Sequence, residues 1–276
     1  MMNRVWLITG ANSGFGRAIT EAAVAVGDVA VATARRVTSL DDLAVAHLGQ
    51  VDALPLDVTD PDSIDATVRD VIGRHGRIDV LVNNAGRTHV GAAEETTDAE
   101  LRDLFEVHVF GPAALTRAVL PHMRSRRSGA IVQISSMGGQ MSFAGFAAYS
   151  ATKFALEGMS EALADEVRPL GIKVLIIEPG AFRTGLFANH SASAPSTDYA
   201  GTVGQTRHMI ETTAGTQPGD PAKAAAAILT ALDAPSPPLR LPLGDDAVDA
   251  ILSHLDSTRA DITTWEKLAR DTRLPS

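Results

Sequence analysis

Cysteine is absent from the 276-residue chain. Disulfides, thiolate metal sites and cysteine nucleophiles are therefore excluded, while the redox compartment stays open. Long apolar runs are missing as well: the longest reach only strand or buried-helix length, well below the ~20 residues needed to cross a bilayer. The segment from Met1 to Gly10 runs straight into a strand-like stretch without the charged, apolar and small-residue zones of an export signal, so a cytoplasmic protein is expected. Positive charge is in deficit, with 24 Lys and Arg against 33 Asp and Glu, a formal net charge of -9. The basic residues are scattered and offer no face for a phosphate backbone, so no nucleic-acid partner is expected. The eight histidines lack an H-E-x-x-H or similar spacing, and no metal is expected. There is no internal repeat and no convincing second domain.

What is present is a hydrophobic content of 45% in a chain long enough to close one large core, so a single domain over residues 1–276 is expected. Strand-like runs occur at Val5–Ile8, Val29–Thr33, Val51–Leu56, Val80–Val82, Ala130–Ile134 and Lys173–Ile177. Helix-compatible stretches between or after them include Gly16–Val26, Ser63–His75, Ala99–Arg124 and Ala148–Leu170. Uniformly apolar strands separated by helices suit a parallel sheet covered on both faces, and the alternation predicts a Rossmann-type doubly wound α/β fold of about seven strands. Residues 185–217 carry no persistent period and are expected to form a lid or flexible insert. Helix resumes at Pro221–Leu232, capped by Asp220. The proline-rich stretch after it leads to an edge strand at Leu239–Leu243 and a last helix from Asp245 to about Ala269, within a C-terminal extension spanning 233–276.

The first strand runs into Thr9-Gly10-Ala11-Asn12-Ser13-Gly14-Phe15-Gly16, a glycine-rich turn between a buried strand and a helix. Glycines permit the backbone angles and close approach that a pyrophosphate requires, and a helix N-terminus adds free N–H groups and a favourable dipole. On its own the same pattern also describes a plain tight turn. Further motifs follow in order: Asp57-Val58 after the third strand, Asn83-Asn84-Ala85-Gly86 closing the fourth, Ser136, then Tyr149 and Lys153, then Pro179-Gly180, Phe182 and Thr184 after the sixth. Singly, each has a structural explanation; as a colinear set, coincidence explains them poorly.

In these residues the chain resembles the short-chain dehydrogenase/reductase family, strongly from Val5 to Thr184 and loosely beyond. Phe15-Gly16-Arg17, Leu54-Pro55-Leu56-Asp57-Val58 and Glu178-Pro179-Gly180-Ala181-Phe182-Arg183-Thr184 are similar to the branch that includes retinol- and hydroxysteroid-dehydrogenase-like enzymes. The resemblance implies a Rossmann fold and hydride transfer between a nicotinamide cofactor and a carbonyl or alcohol. Tyr149 would be the proton donor or acceptor, and Ser136 would hydrogen-bond the reacting oxygen. Lys153 would hold the nicotinamide ribose, and Thr184 with Pro179-Gly180 would orient the carboxamide. Physical chemistry agrees that Tyr149 and Lys153, an i, i+4 pair, share one helix face. An ammonium beside a phenol, with an oxidised nicotinamide, favours the phenolate; an ordinary surface Tyr and Lys would show the same spacing.

One position departs from the family. Where an asparagine usually completes the catalytic set by holding a relay water, Glu106-Val107-His108-Val109-Phe110-Gly111 carries His108. A neutral imidazole can bind a water, and a protonated one would make the site pH-sensitive near its reference pKa of about 6.5; alternatively, His108 is simply packed in the helix. At the end of the second strand, where a carboxylate would select a free ribose 2′-hydroxyl, the chain has Ala34-Arg35-Arg36. Guanidinium forks suit a 2′-phosphate, so NADP(H) is the expected cofactor, with Arg35 ahead of Arg36 as its partner unless both are merely solvated charges.

Met137, Met141, Phe143, Phe146, Phe182, Leu186 and Phe187 can form an apolar pocket, which favours a small hydrophobic ketone, aldehyde or alcohol. By resemblance the enzyme would be a homodimer or homotetramer built on the long helices near Ala99–Arg124 and Ala148–Leu170. Two other readings stand beside this one. An NADP(H)-binding sensor or scaffold with impaired catalysis is hinted at by His108 alone, and nucleotide-sugar epimerase chemistry shares Tyr-x-x-x-Lys but usually needs a larger substrate region.

Overall fold

Val5–Thr9 (β1) alternates its side chains between two separate apolar clusters: Trp6 and Ile8 enter one, Val5 and Leu7 the other. A strand whose side chains alternate with period two and are apolar on both faces must be covered on both faces. The computed structural model describes residues 3–188 and 190–274. The two ends of the expected 1–276 domain, and Asn189 inside the expected lid, lie outside the described residues.

The strands after β1 are Val29–Ala34 (β2), Val51–Pro55 (β3), Val80–Asn83 (β4), Gly129–Ile134 (β6), Ile172–Pro179 (β7) and Arg240–Leu243 (β9). Together they form one seven-stranded sheet of order β3-β2-β1-β4-β6-β7-β9, with every pairing parallel. The helices Gly14–Ala25 (α1) and Pro221–Asp233 (α8) cover one face. Pro61–His75 (α3), Gly111–Arg126 (α5) and Ala147–Val167 (α6) cover the other. This is the single-domain, doubly wound α/β fold expected from the sequence. The order reverses between β1 and β4, which opens a crevice at the carboxyl ends of these strands.

Local chemistry sets several boundaries. Asp60 caps α3 by accepting from Asp62 N–H at 3.0 Å, with Pro61 at the first helical position. Thr97 and Glu100 form a reciprocal capping box on Asp98–Phe105 (α4).

The single helix expected over Ala99–Arg124 is instead broken into α4, a π turn at Glu106–Phe110, and α5. Pro112 has no N–H to return to the carbonyl four residues back, and Gly111 N–H bonds to Glu106 O five residues back. Gly111 also lies so close to the loop after β3 that an added Cβ would stand 2.6 Å from Val58 O. The wide turn carries His108 toward the crevice.

The expected lid, 185–217, is not aperiodic throughout. Ser191–Ala192 (β8) pairs in parallel with His89–Val90 (β5), and Val203–Thr213 is a helix (α7). Its sequence signal is weak because only Val203 and Ile210 of α7 are buried, against Val90 and Ala92, while the other positions are small or polar. His89, itself buried, bonds Ser191 Oγ and Ser193 Oγ at 2.9 Å through its two ring nitrogens. Among the described residues no helix is long and apolar enough to cross a membrane. Asp41–Ala46 (α2) and the final helix Asp245–Arg270 (α9) are the remaining α-helices among the described residues.

Gly16 is the tightest point of the first turn: a Cβ there would stand 2.5 Å from Asn84 Nδ2 and closer still to Gly10 O. Gly16→Ala is expected to destabilise by about 1–3 kcal/mol, the usual cost of overpacking a fixed backbone. Gly73→Ala, in α3 with open space around it, should be neutral or stabilising by up to about 1 kcal/mol. Urea unfolding of the two variants checks the contrast.

Candidate active site

The glycine turn, the loop after β4 and the loop after β7 meet over the reversal of strand order, and the cleft between them encloses about 620 Å³. Its floor is built from polar struts. Thr9 Oγ1 accepts from the Asn84 and Ala85 N–H groups at 2.9 Å, and Asn84 Nδ2 donates to Thr9 O at 2.8 Å and Gly10 O at 3.1 Å. Gly10 takes φ +64° and Gly14 φ +54°, conformations that favour glycine. The rings of Phe15 and Phe182 close across the mouth with centroids 5.1 Å apart.

Of the residues expected to hold a dinucleotide, Gly10, Asn12, Ser13, Gly14, Phe15, Arg35, Asp57, Val58, Asn84, Ala85, Gly86, Pro179, Gly180, Phe182 and Thr184 all line this cleft. Thr9 and Gly16 do not: Thr9 is buried beneath the turn and Gly16 packs on Gly10 and Asn84, so both shape the cleft instead of facing it. Arg36 also lies outside the lining, exposed at the start of a short helical turn, whereas Arg35 reaches the cleft and its charge helps hold the Asp57 carboxyl down. The larger influences on Asp57 are the hydrogen bonds it accepts from Thr59 N–H and Oγ1 at 3.0 and 2.8 Å.

Ser136, Tyr149, Lys153 and His108 converge at the opposite end. Ser136 is held just after β6 with its Oγ accepting from Gly138 N–H at 3.0 Å, and it lies near enough to the Tyr149 hydroxyl to oppose the rise of its pKa. Lys153 lies one turn along α6 from Tyr149, with Nζ 5.7 Å from the phenol ring centre and donating to Ile134 O at 2.9 Å. Burial dominates both groups. It pushes the Tyr149 hydroxyl up to about 12 against the smaller opposing effect of Ser136, and pulls the Lys153 ammonium down to about 8 against the attraction of Glu157. In this cleft the phenol is therefore protonated; the phenolate was expected beside both Lys153 and an oxidised nicotinamide.

His108 is neither solvated nor free to bind a water. It is buried, its Nε2 accepts from Arg87 N–H at 3.1 Å, and its Nδ1 lies 2.8 Å from Thr152 Oγ1. The Thr152 hydroxyl donates its proton to Tyr149 O at 2.7 Å, so it accepts from His108, which fixes the Nδ1–H tautomer. Burial, then the charges of Lys153 and Arg87, push the imidazolium pKa well below its ordinary value. In this structure His108 is a neutral strut between the loop after β4 and α6, the packed arrangement left open beside the water-holding and titrating ones.

The anticipated apolar pocket is only partly assembled. Phe182, Leu186 and Phe187 line the cleft, and Phe146 stands beside Tyr149 with centroids 6.0 Å apart, while Phe143 is exposed. Met137 and Met141 lie outside the lining. Arg87, Asp103 and Glu106 add a polar wall.

A second cluster was missed altogether. Glu157, four residues beyond Lys153 on the same helix face, and Glu178 at the end of β7 are both buried. Glu157 accepts from Ser135 Oγ at 2.5 Å and from Gln140 Nε2 at 2.6 Å. Gln140 Nε2 also donates to Glu178 at 3.0 Å, and Arg240 Nε lies 3.3 Å from each carboxylate. The i+4 spacing from Lys153 was the available signal for Glu157; nothing local marked Glu178 or Arg240.

Burial, followed by the neighbouring Glu157 charge, raises Glu178 to about 7. A raised carboxyl pKa means the folded chain holds a proton that the unfolded chain releases. This stabilisation is complete below the ordinary carboxylate range and is lost as pH rises through about 7. The melting temperature is expected to fall between pH 5.5 and 8, and to fall less in Glu178→Gln. Equal slopes for parent and variant, measured by calorimetry, would remove Glu178 from this role.

Comparison with known proteins agrees with the geometry. Residues 4–194 match the family model described as short chain dehydrogenase. A 3-ketodihydrosphingosine reductase of Bacteroides thetaiotaomicron is 38% identical over 88% of this chain and 89% of its own. A short-chain dehydrogenase crystal structure from Streptomyces avermitilis is 62% identical, covers 98% of both chains and superposes with a TM-score of 0.93. A metagenomic short-chain oxidoreductase solved with NADP is 30% identical over 87% of this chain and 96% of its own, with a TM-score of 0.69. Solved structures similar to this one hold NADP in some cases and NADH in others. The chain belongs to the short-chain dehydrogenase family of oxidoreductases.

Proposed function

We propose that the protein is an NADP(H)-dependent reductase of hydrophobic ketones or aldehydes, reversible toward the alcohol, with Tyr149 as the acid/base. The observation that carries this reading is the buried, protonated Tyr149 hydroxyl, with Ser136 lining the same end of the cleft and Lys153 one helical turn away. The cleft fits a dinucleotide. Its glycine turn leaves no room for a Cβ at Gly16, and its lining runs from Arg35 to Thr184. Bound NADPH supplies the hydride.

The remaining chemistry belongs to the chain. Ser136 and Tyr149 hold the carbonyl oxygen, and Tyr149 passes its proton to that oxygen as charge develops. The Lys153 ammonium then stabilises the phenolate left behind until a proton returns. Arg35 pairs with the 2′-phosphate, where a carboxylate would have repelled it. Phe182, Leu186 and Phe187 favour an apolar substrate, and the 3-ketodihydrosphingosine reductase name of a 38% identical relative supports a long-chain ketone. Segment 185–217 serves as the lid over this end, and 233–276 is a C-terminal extension. A homodimer or homotetramer in the cytoplasm belongs to the same proposal. Phe110 and Phe154, exposed on the π turn and α6, offer apolar surface for that association.

In an NADPH-oxidation screen over aliphatic, aromatic and polycyclic carbonyls, the aliphatic and polycyclic ketones are expected to turn over best. Tyr149→Phe should lose a factor of roughly 10² to 10⁴ in kcat; near-parental turnover would displace Tyr149 from proton transfer. Arg35→Ala should raise the NADPH KM roughly tenfold or more, the loss of a charge-assisted bond, while barely moving the NADH KM. An unchanged NADPH KM would reassign the cofactor.

A further inference from the structure

Helix α9 is 26 residues long, yet only Ala247 and Ile251 of it are buried. From Leu252 to Leu274 every residue is exposed, so the outer part of the helix, about 28 Å at 1.5 Å per residue, stands beyond the domain. It is not polar all round. Val248, Leu255 and Ile262 recur every seven residues, each followed three residues later by Ile251, Thr258 and Trp265. That spacing draws a single seam along the helix. Ile251, at the root, is packed into the domain; further out on the same seam, Ile262 is 66% and Trp265 63% exposed. A free helix of this length draws little stability from propensity alone, and an apolar stripe of this kind is normally covered.

Charge identifies the cover. The inner half carries Asp245, Asp246, Asp249 and Asp256 with no Lys or Arg among them, whereas the outer half holds all three cations of the helix, Arg259, Lys267 and Arg270, against Asp261 and Glu266, the last paired with Arg270 at 2.7 Å. Set side by side in the same direction, two such helices oppose acid to acid. Set antiparallel, each acidic inner half meets the outer half that holds the other's three cations, and the two seams face one another. An anionic membrane is disfavoured, because the helix bears six carboxylates against three cations. We propose that α9 is a dimerisation arm, its seam covered by the α9 of a second copy of this chain running antiparallel across a two-fold axis. The arm is rooted beside the cleft, where Asp246 accepts from Ala181 N–H at 2.7 Å. The interface is thus separate from the α5 and α6 faces and adjoins the loop that carries Phe182.

Light scattering of the full chain over a concentration series tests the arm independently of any activity. Ile262→Asp is expected to remove one two-fold step of the parent's assembly, raising that step's Kd roughly tenfold or more as charge replaces a buried aliphatic contact, with unchanged far-UV circular dichroism. Trp6 is fully buried, so a red shift of parental tryptophan emission on dilution reports Trp265 becoming wet. Lys267→Glu with Arg270→Glu should weaken the same step at low salt, and adding Asp249→Lys with Asp256→Lys should restore it. Parental mass in Ile262→Asp at every concentration overturns the proposal. So does emission that stays red in the concentrated parent, or attachment of the arm to anionic vesicles without self-association.

Discussion

An ammonium enclosed at the carboxyl end of a parallel sheet is the constraint on which the site rests. Lys153 is buried, and its charge is accommodated by the Ile134 carbonyl on one side and by Glu157 one turn further along α6. An isolated buried charge is too costly to persist, so the surroundings must be arranged for it. Ser135 and Gln140 bind Glu157, and Gln140 and Arg240 tie it to Glu178, which reaches the cluster from the neighbouring strand. The ion at the cleft is thereby connected to an edge strand, β9, distant in the chain. The position of Tyr149 follows, because it shares the helix that the lysine anchors.

His108 couples this arrangement to the other side of the cleft. Its two nitrogens join the backbone after β4 to Thr152, which in turn holds the Tyr149 carbonyl. A ring with both nitrogens committed to the protein is a rigid tie, and its burial keeps it neutral. The π turn that delivers it exists because Pro112 cannot continue the helical bonding pattern and Gly111 must pass close to Val58. A local backbone irregularity thus sets the distance between the two walls of the cleft.

Much of this was legible beforehand for identifiable reasons. The apolar runs of β1, β2, β4, β6 and β7 are buried on both faces, so composition alone marks them as parallel strands. The colinear motifs from Gly10 to Thr184 meet at one cleft because strand order reverses between β1 and β4. Harder to read were elements stabilised by few or distant contacts. Helix α7 buries only two side chains, and the break between α4 and α5 depends on a close approach to the loop after β3.

The sequence by itself determined the layered fold, the glycine turn, the spacing of Tyr149 and Lys153, and the missing carboxylate beside Arg35, since each is encoded by neighbours within a few residues of one another. Tertiary structure alone decided the state of these groups. Burial keeps the Tyr149 phenol protonated, and Thr152 and the Arg87 backbone consume both nitrogens of His108. Thr9 and Gly16 are placed behind the cleft wall, and Glu157, Glu178 and Arg240 are gathered from three elements. Protonation and hydrogen-bond partners depend on which distant segments exclude water from a side chain, and a linear pattern of residues does not contain that information.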